Sequence, residues 1–433
     1  MPKDLTFELS EKLYDRAVQV IPGGSQTMSK RPQGYAPGAF PIYVERAKGS
    51  HVWDVDGNEY IDYIMARGPI VLGYCYPAVD HAIADQLHKG IIYGLLHPVE
   101  IMAAESVCEA VPCAEMVRFL KGGAEVTMAA ARIARAATGR ELILNCGYRG
   151  WADQWTAQVG TPAARGVPEC LRSTVISFPY NDLAALEGLL KQHDGQVALV
   201  FLDAVSAQEP DPDYLPGVRK LCDRHRVLLA FDEIVTGFRL APGGAQEHYG
   251  VTPDLACFAK GIANGMPLGA VCGRRRIMRI AEELLISVTY GGECLSLAAV
   301  CACLAEYRAK PVHRHLWAQG EKLMAGFAEA GRRHDLPFAC TGVPPMSCPV
   351  FSFPDAQLTA DVWSLFLQET ARRGVLIRRG GLLFVTYSHS DSDVATTLEA
   401  VDEALGVIAE ALKTDSLHDR LKVKDVTEGF RRF

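Results

Sequence analysis

The sequence predicts an α/β protein built on a seven-stranded, mostly parallel sheet. The main observation is a series of short apolar runs that alternate with helical stretches between about residues 78 and 273. The runs are "MVRFL", "ELILNC", "STVISF", "VALVFLDA", "VLLAFDE", "LACFAK" and "LGAVCG". Strands that are apolar on both faces are typical of parallel sheets that helices cover on both sides. The 433 residues are enough for two domains.

A smaller α+β domain is predicted from the two ends of the chain. Near the N-terminus, a helical pattern is stopped by "IPGG", and "HVWDVDGNEYIDYI" then alternates apolar and polar residues around Asp-Gly-Asn. That alternation around such a turn indicates a β-hairpin. The C-terminal part is helical and then mixed. We therefore expect residues 1–65 and 311–433 to form the small domain and residues 66–310 the large domain.

Composition and charge narrow the classes of function. The net charge of −7 offers no basic surface for nucleic acid. No apolar stretch approaches the roughly 20 residues of a membrane span, and no basic-then-apolar signal peptide begins the chain. The 13 cysteines include no Cys-x-x-Cys pair, so reduced thiols are expected and a metal site is not. We expect a cytoplasmic protein that acts on small molecules, without a nucleic-acid or membrane partner.

Glycines follow the first predicted strand of the large domain. Gly122, Gly123 and Ala124 open an alanine-rich helix directly after "MVRFL". In open α/β sheets, ligands bind beyond the carboxyl ends of the strands. Bare amides at a helix N-terminus suit a phosphate group, although an ordinary tight turn has the same sequence pattern. The next strand ends before Tyr148, and the fourth ends in Asp203.

An aspartate and a lysine end two further strands. Asp232 follows "VLLAF" and Lys260 follows "LACFA". A lysine at the mouth of a dry cleft can attack a carbonyl group, and an aspartate can keep a pyridine nitrogen protonated. Either residue alone is more simply explained as an ion-paired surface charge. Together with the glycine turn and Tyr148 they predict a site for pyridoxal 5'-phosphate (PLP), and the sequence motifs of nicotinamide, nucleotide, zinc-protease and serine-hydrolase sites are absent.

Two segments resemble the class III aminotransferases, which have fold type I. They are "FDEIVTGFR" at 231–239 and "PDLACFAKGIANGMPLGAV" at 253–271. The earlier "VWDVDGNEYIDYI" and "GPIVLGYCYP" resemble, more narrowly, glutamate-1-semialdehyde 2,1-aminomutases and their relatives. The resemblance covers about residues 10–410. It implies PLP as cofactor and transfer of an amino group between a small-molecule amino donor and a carbonyl acceptor.

The resemblance also implies roles for individual residues. Lys260 would form the Schiff base with PLP, and Asp232 would pair with the pyridine nitrogen. Thr289 matches the threonine that reaches the phosphate from the partner subunit, which implies a homodimer with shared active sites. The other expected cofactor contacts are Gly122, Gly123, Ala124, Tyr148, Asp203, Ile234 and Val235.

The chain departs from the family pattern at candidate substrate positions. Arg67 stands where the mutase pattern has tryptophan, Arg149 replaces a histidine, and Glu293 replaces an asparagine. We expect these three residues, and Ser25 in an early loop, to contact the substrate. Arg67 could clamp a carboxylate or phosphate of the substrate, although it could instead pair with a nearby acid.

The predicted activity is transamination between separate molecules. The acceptor is an aldehyde or ketone, with a sugar or a specialised-pathway intermediate as candidates. One alternative is a glutamate-1-semialdehyde-type 2,1-aminomutase. Another, of a different class, is a non-catalytic ligand-binding relative, although a lapsed enzyme has no need to keep Lys260.

Overall fold

The computed structural model describes residues 5–157, 162–205 and 207–422, and the chain divides into two compact units. The smaller unit comprises Met1–Arg67, Leu72–Tyr76 and Arg314–Phe433, and the larger comprises Gly68–Val71 and Pro77–His313. The sequence predicts domain boundaries at residues 65 and 310, whereas in the structure the chain passes between the units twice more before Pro77.

The strands and helices have the following bounds. In chain order, the strands are β1 (Val44–Lys48), β2 (His51–Asp54), β3 (Glu59–Asp62), β4 (Met116–Leu120), β5 (Leu142–Cys146), β6 (Val175–Ser177), β7 (Val197–Asp203), β8 (Leu228–Asp232), β9 (Leu255–Phe258), β10 (Gly269–Gly273), β11 (Phe338–Thr341), β12 (Cys348–Phe351) and β13 (Val375–Leu376). The α-helices are α1 (Glu8–Val20), α2 (Pro77–Leu87), α3 (Pro98–Ala110), α4 (Gly123–Thr138), α5 (Asp153–Thr156), α6 (Leu183–Gln192), α7 (Tyr214–His225), α8 (Ala245–His248), α9 (Arg275–Met278), α10 (Cys294–Ala309), α11 (Val312–Arg333), α12 (Ala356–Arg372), α13 (Asp391–Lys413) and α14 (Leu417–Arg420).

A seven-stranded sheet forms the centre of the larger unit. Its strand order is β4-β10-β9-β8-β7-β5-β6. The neighbours from β9 to β6 pair in parallel, whereas β10 is antiparallel to both β9 and β4. Each of the seven apolar runs in the sequence forms one of these strands. The predicted α/β class with a mostly parallel sheet is therefore confirmed.

Helix α4 covers one face of this sheet. Its buried side chains include Val126, Ala130, Ile133 and Ala134, all with 0% exposure. They share one core cluster with side chains of the central strands, such as Phe201. Alanine has a small side chain and a high helix propensity, so an alanine-rich helix can pack close to the sheet. This packing fixes the N-terminus of α4 beside the strand ends.

The smaller unit contains a four-stranded sheet with the order β1-β2-β3-β13 and a two-stranded sheet of β11 and β12. Strands β2 and β3 are antiparallel and form the hairpin that the sequence predicts. Its turn is held by Asp54, whose Oδ1 accepts hydrogen bonds from the backbone N–H groups of Asp56 and Asn58. Gly57 adopts the positive φ of 89° that this turn requires.

Within the described ranges, none of the helices combines the length and apolar character needed to cross a membrane. The same residues contain no group of three or more His, Cys, Asp or Glu side chains that could hold a metal ion. All 13 cysteines are free thiols.

Candidate active site

Three of the predicted site residues lie at the carboxyl ends of adjacent strands. Asp203, at the end of β7, pairs in register with Asp232, at the end of β8. Asp232 is in turn in register with Cys257 of β9, and Lys260 follows that strand. The sheet therefore places two carboxylates and one ammonium group along a single edge, where ligands of open α/β sheets bind.

Lys260 begins a short turn with an unusual backbone conformation. Its φ is +49°, in the left-handed region that lysine rarely adopts. The residue is half-buried, whereas the strand before it is fully buried. The hydroxyl of Tyr307, on α10, donates to the carbonyl of Gly261 at 2.6 Å and fixes the turn. Backbone strain held in place by surrounding contacts is concentrated at functional sites, and the lysine predicted to be the nucleophile lies at such a point.

The N-terminus of α4 provides backbone amides beside these strand ends. Gly122 is the N-cap residue, and its N–H donates to Oε2 of Glu125 at 2.9 Å. The next two amides, of Gly123 and Ala124, belong to the first turn and have no acceptor within the helix. These two amides are thus the ones available to an anion, while the amide of Gly122 already serves the cap.

The residues that follow Asp232 lie against this helix start. The N–H of Ile234 donates to Oδ1 of Asp232 at 3.0 Å, which orients the carboxylate. A Cβ on Gly123 would lie 3.0 Å from Cδ1 of Ile234. Ile234 and Val235 are both half-buried, so each exposes part of an apolar side chain. The structure thus brings the expected phosphate-binding turn and an expected ring-packing residue together.

Glu233 fixes this segment, and the sequence analysis missed it. The Glu233 side chain is completely buried and accepts hydrogen bonds from the N–H groups of Ala245 and Gln246 at 2.7 and 2.9 Å. Burial raises the pKa of its carboxyl group. The position of Glu233 directly after Asp232 could have indicated this structural role, because a second buried acid at a strand end needs hydrogen-bond donors of its own.

The loop after β5 is clamped between α4 and β7. A Cβ on Gly147 would lie 2.0 Å from Oδ2 of Asp203, and a Cβ on Gly150 would lie 2.8 Å from Cβ of Ala124. The Thr127 hydroxyl of α4 donates to the carbonyl of Arg149 at 2.7 Å. Only glycine permits these approaches. Tyr148 in this loop is 40% exposed, so the residue is accessible from solvent.

Arg149 belongs to this loop, and its side chain is buried beneath the loop backbone, where it is not exposed to a substrate. Its side chain has no exposed surface, and its Nη1 lies 2.7 Å from Oδ1 of Asp203 and 2.8 Å from Oδ2 of Asp232. The guanidinium also donates to the carbonyls of Cys146 and Tyr148. Burial lowers the pKa of Arg149, but the two carboxylates outweigh that effect and the pKa is raised. The structure therefore does not support the expected contact between Arg149 and the substrate.

In Asp203, unlike in Arg149, the raised pKa disfavours the charged form of the side chain. Burial and the negative charge of Asp232 raise its pKa to about 6, although Arg149 acts in the other direction. Its side chain is 26% exposed, whereas that of Asp232 is 5% exposed. Asp203 thus adds a carboxylate of raised proton affinity to the edge of the site.

Glu293 is also engaged by the protein itself. It is the N-cap residue of α10, and its Oε1 accepts the N–H of Leu295 at 2.6 Å. Its Oε2 lies 2.8 Å from Nζ of Lys121 and accepts the Ser296 hydroxyl. Burial raises its pKa, but these hydrogen bonds outweigh burial and lower it. Capping and the pairing with Lys121, which the sequence analysis missed, account for this side chain without a substrate.

Thr289 lies in the exposed turn before α10. Its neighbour Tyr290 is 59% exposed. The position is accessible from outside the larger unit, and the contact with a partner subunit stays a prediction.

Arg67 and Ser25 belong to the smaller unit. Arg67 is the last of three consecutive non-glycine residues with positive φ, after Met65 and Ala66. Its Nη1 donates to the carbonyl of Ser29 at 3.1 Å, in the same loop as Ser25. This hydrogen bond links Arg67 to the loop that contains Ser25. Arg67 itself lies in a turn with a strained backbone.

Comparison with known proteins identifies the family. The sequence profile described as "Aminotransferase class-III" matches residues 34–405. The chain is 36% identical to glutamate-1-semialdehyde 2,1-aminomutase of Syntrophobacter fumaroxidans, over 94% of this chain and 99% of the relative. It is 32% identical to 3-aminobutyryl-CoA aminotransferase of Cloacimonas acidaminovorans, over 95% of this chain and 100% of the relative.

Solved structures show the same fold. The PLP internal aldimine form of the Sphingopyxis sp. MTA144 FumI protein is similar with a TM-score of 0.88 and 28% identity, covering 96% of this chain and 98% of that one. A transaminase with PLP bound is similar with a TM-score of 0.86 and 28% identity, covering 94% and 99%. The predicted fold type I and the predicted resemblance are both confirmed, and the chain belongs to the class III aminotransferase family.

Proposed function

We propose that this protein is a PLP-dependent aminotransferase that moves an amino group from a small-molecule donor to an aldehyde or ketone. The observation that carries the proposal is the alignment of Asp232 and Lys260 at the ends of neighbouring strands, beside a helix N-terminus. The residues fit the cofactor because the site offers amides for a phosphate, a carboxylate for a ring nitrogen and an amine for a carbonyl carbon. When bound, PLP supplies an electron sink for the substrate's amine-bearing carbon.

Each residue then has a defined task. The amine of Lys260 holds the cofactor and, once substrate has displaced it, moves a proton at the substrate carbon. The carboxylate of Asp232 keeps the proton on the ring nitrogen. The N–H groups of Gly123 and Ala124, with the positive end of the α4 dipole behind them, bind the phosphate. Tyr148 would pack on one face of the cofactor ring, and Ile234 or Val235 on the other.

Borohydride trapping tests the role of Lys260. In the PLP-loaded protein, reduction should fix the cofactor on Lys260, which peptide mass spectrometry detects. Lys260→Ala should abolish the label and the activity together. Lys121→Ala is the matched control, because Lys121 also lies beside the start of α4 but is paired with Glu293. A Lys260→Ala protein that interconverts the aldehyde and amine forms of the cofactor at the wild-type rate would overturn the proposal.

The aminomutase alternative is favoured by one observation, the 36% identity to a glutamate-1-semialdehyde 2,1-aminomutase over nearly the full chain. The structure also weakens the sequence argument against it, because Arg149 and Glu293 contact other protein groups. Arg67 is the remaining difference from the mutase pattern. The deciding assay supplies glutamate 1-semialdehyde alone to the amine form of the enzyme. Rapid formation of 5-aminolevulinate without an external donor establishes a mutase, whereas dependence on a donor supports the transaminase.

The non-catalytic alternative is tested by spectroscopy. The PLP-loaded protein is mixed with a panel of amines and its visible absorbance is followed. An aminotransferase exchanges the aldehyde form of the cofactor for the amine form with at least one donor. No change with any donor would favour a ligand-binding role.

We also propose a homodimer with shared active sites. Large apolar side chains are exposed near the turn that holds Thr289, among them Leu285, Tyr290, Leu95 and Leu96, with exposures of 81, 59, 87 and 90%. The N–H of Cys294 donates to the carbonyl of Ile91 at 2.8 Å, so the segment that carries the two adjacent leucines begins at this turn. Exposed apolar clusters of this kind are typical of protein interfaces.

Two variants test the dimer. Leu96→Asp should lower both self-association, measured by sedimentation, and cofactor affinity, since each site would need the neighbouring chain. Thr289→Ala should lower cofactor affinity while the dimer persists. A monomer with full cofactor affinity would contradict shared sites.

The residues of the chain are compatible with more than one class of acceptor. The sequence argument for a hydroxylated acceptor used Glu293 as a pocket residue, and its engagement in the α10 cap removes that support. An acceptor with a carboxylate or phosphate for Arg67 is equally compatible with the chain. The cytoplasmic location and the lack of nucleic-acid and membrane partners stay predictions from the sequence.

A further inference from the structure

We infer that Asp203 and Arg149 are positioning residues that set the charge which Asp232 presents to the ring nitrogen of the cofactor. The inference rests on the proposed function, because it concerns how PLP is held. It goes further in assigning an electrostatic role to two residues that do not themselves perform the chemistry.

The geometry joins the three side chains into one unit. A single atom, Nη1 of Arg149, lies 2.7 Å from Asp203 and 2.8 Å from Asp232. The two aspartates are directly opposite each other in the parallel pairing of β7 and β8. The guanidinium is fully enclosed, so water cannot screen its charge. A change of charge on any member therefore acts directly on the other two.

The number of charges explains why both aspartates are needed. If Arg149 were paired with Asp232 alone, the pair would be neutral and would hold a positive ring nitrogen weakly. The other oxygen of Asp232 already accepts the N–H of Ile234, which further satisfies the carboxylate. Asp203 adds a second negative charge, so the ionised cluster carries a net charge of −1. That charge matches the single positive charge of a protonated pyridine ring.

Three titratable groups near the cluster, the thiols of Cys146 and Cys257 and the hydroxyl of Tyr180, are neutral at physiological pH. Burial raises the pKa of the Cys146 thiol to about 11, and it raises the pKa of the Cys257 thiol well above its usual value. Burial likewise raises the pKa of the Tyr180 hydroxyl. The ring of Phe201 lies 4.7 Å from the guanidinium carbon of Arg149. Among the described neighbours named here, the charge balance thus depends on the two aspartates and the arginine.

The test is a charge cycle read from the cofactor itself. The holoenzyme is loaded with PLP labelled with nitrogen-15 in the ring, and the nitrogen resonance reports whether the ring is protonated. Asp203→Asn leaves Arg149 and Asp232 as a neutral pair, so the proton affinity of the ring nitrogen should fall by about 10- to 1000-fold. The double variant Asp203→Asn/Arg149→Met restores a net charge of −1 on Asp232 alone. It should therefore recover the protonated resonance.

Two further variants keep the test decisive. Asp203→Glu retains the charge and should retain the protonated resonance, even if the double variant fails to fold. Asp254→Asn is the control, since it removes another arginine-paired carboxylate, one that is even less exposed than Asp203 (5% against 26% of the side chain) and lies before β9, at the strand end opposite Lys260. It should leave the resonance unchanged.

The outcomes separate the inference from the proposed function. If borohydride labels Lys260 but Asp203→Asn keeps the wild-type resonance, the inference is overturned and the proposed function stands. The inference is also overturned if the double variant folds without recovering the protonated resonance. If wild-type protein is not labelled at Lys260, both are overturned.

Discussion

A cluster of aspartates and arginines lies at each end of strand β8, and the two clusters have opposite charge balance. At the carboxyl ends, one guanidinium, that of Arg149, lies between two carboxylates. At the amino ends, one carboxylate, that of Asp254, faces three guanidiniums. Its oxygens lie 2.9, 3.5 and 3.7 Å from Arg219, Arg274 and Arg276.

The difference lies in where the excess charge is located. The side chains of Arg274 and Arg276 are 43 and 67% exposed, so water screens the excess positive charge at the amino end. The side chains of Arg149 and Asp232 are 0 and 5% exposed and that of Asp203 is 26% exposed, so the excess negative charge at the carboxyl end lies largely inside the protein. A buried charge without a partner is costly, and a bound cation offsets that cost. The comparison indicates that the proposed ligand site differs from the structural cluster in where the unbalanced charge lies, which is inside the protein at the carboxyl end and in contact with water at the amino end.

The largest expected effect is that of Asp232→Asn on activity. The variant removes the charge nearest to the proposed ring nitrogen, and kcat/KM should fall by about 100- to 10,000-fold. Arg149 keeps its contact with Asp203, so the fold should survive, as a thermal melt would show. Steady-state kinetics with any accepted amino donor measure the loss. Wild-type kcat/KM in a folded Asp232→Asn protein would show that the carboxyl-end cluster is structural after all.

Asp254→Asn should have the opposite effect, a loss of stability without a loss of activity. It leaves Arg219 without its buried partner and weakens the hydrogen bond to the N–H of Leu229, so the free energy of unfolding should fall by about 3 kcal/mol. The kcat/KM value should not change, because the carboxyl-end cluster is intact. Urea unfolding and kinetics on the same preparation check both statements. If activity were lost as strongly as in Asp232→Asn, the two clusters would not be functionally distinct.

Gly147→Ala tests the contact that brings the loop onto Asp203. Gly147 has a φ of 103°, and a Cβ there would lie 2.0 Å from Oδ2 of Asp203. The backbone strain costs about 2 kcal/mol, and displacement of Asp203 should also weaken PLP binding. Gly57→Ala is the control, since Gly57 has a φ of 89° and no atom within 4 Å of the added Cβ. It should lower stability without changing cofactor affinity, which absorbance titration measures. Equal losses of affinity in both variants would count against the contact.

The sequence was sufficient to predict the sheet and the acids and base at its edge. Each strand is a local apolar run, and the residues that end these runs are read directly from the chain. Lys260, Asp232 and Asp203 could therefore be placed at one edge before any contact was known.

The pairing of side chains could not be predicted in the same way. Arg149 contacts aspartates that lie 54 and 83 residues away, and the contact depends on the order of β5, β7 and β8 in the sheet. The alternative of a nearby acidic partner was raised by the sequence for Arg67, whereas the structure shows acidic partners for Arg149. The capping role of Glu293 could not be predicted for a related reason. A glutamate is an uncommon N-cap residue, and its support from Lys121 comes from a distant strand end.

The smallest expected effect concerns the stability of the cofactor-free protein at different pH values. The pKa of Asp203 is raised from its usual 3.8 to about 6, so between these values the folded chain binds a proton that the unfolded chain releases. Protonation of Asp203 therefore stabilises the fold. This stabilisation is complete below about pH 4 and is lost as the pH rises through 6.

Asp203→Asn cannot titrate, so the wild-type protein should lose about 1 kcal/mol of stability relative to this variant between pH 5 and pH 8. Urea unfolding of both proteins at the two pH values gives the difference. A gap that does not change with pH would show that Asp203 is ionised throughout. In that case Arg149 would offset both aspartates more completely than their burial indicates, and the cluster would be closer in character to the one at Asp254.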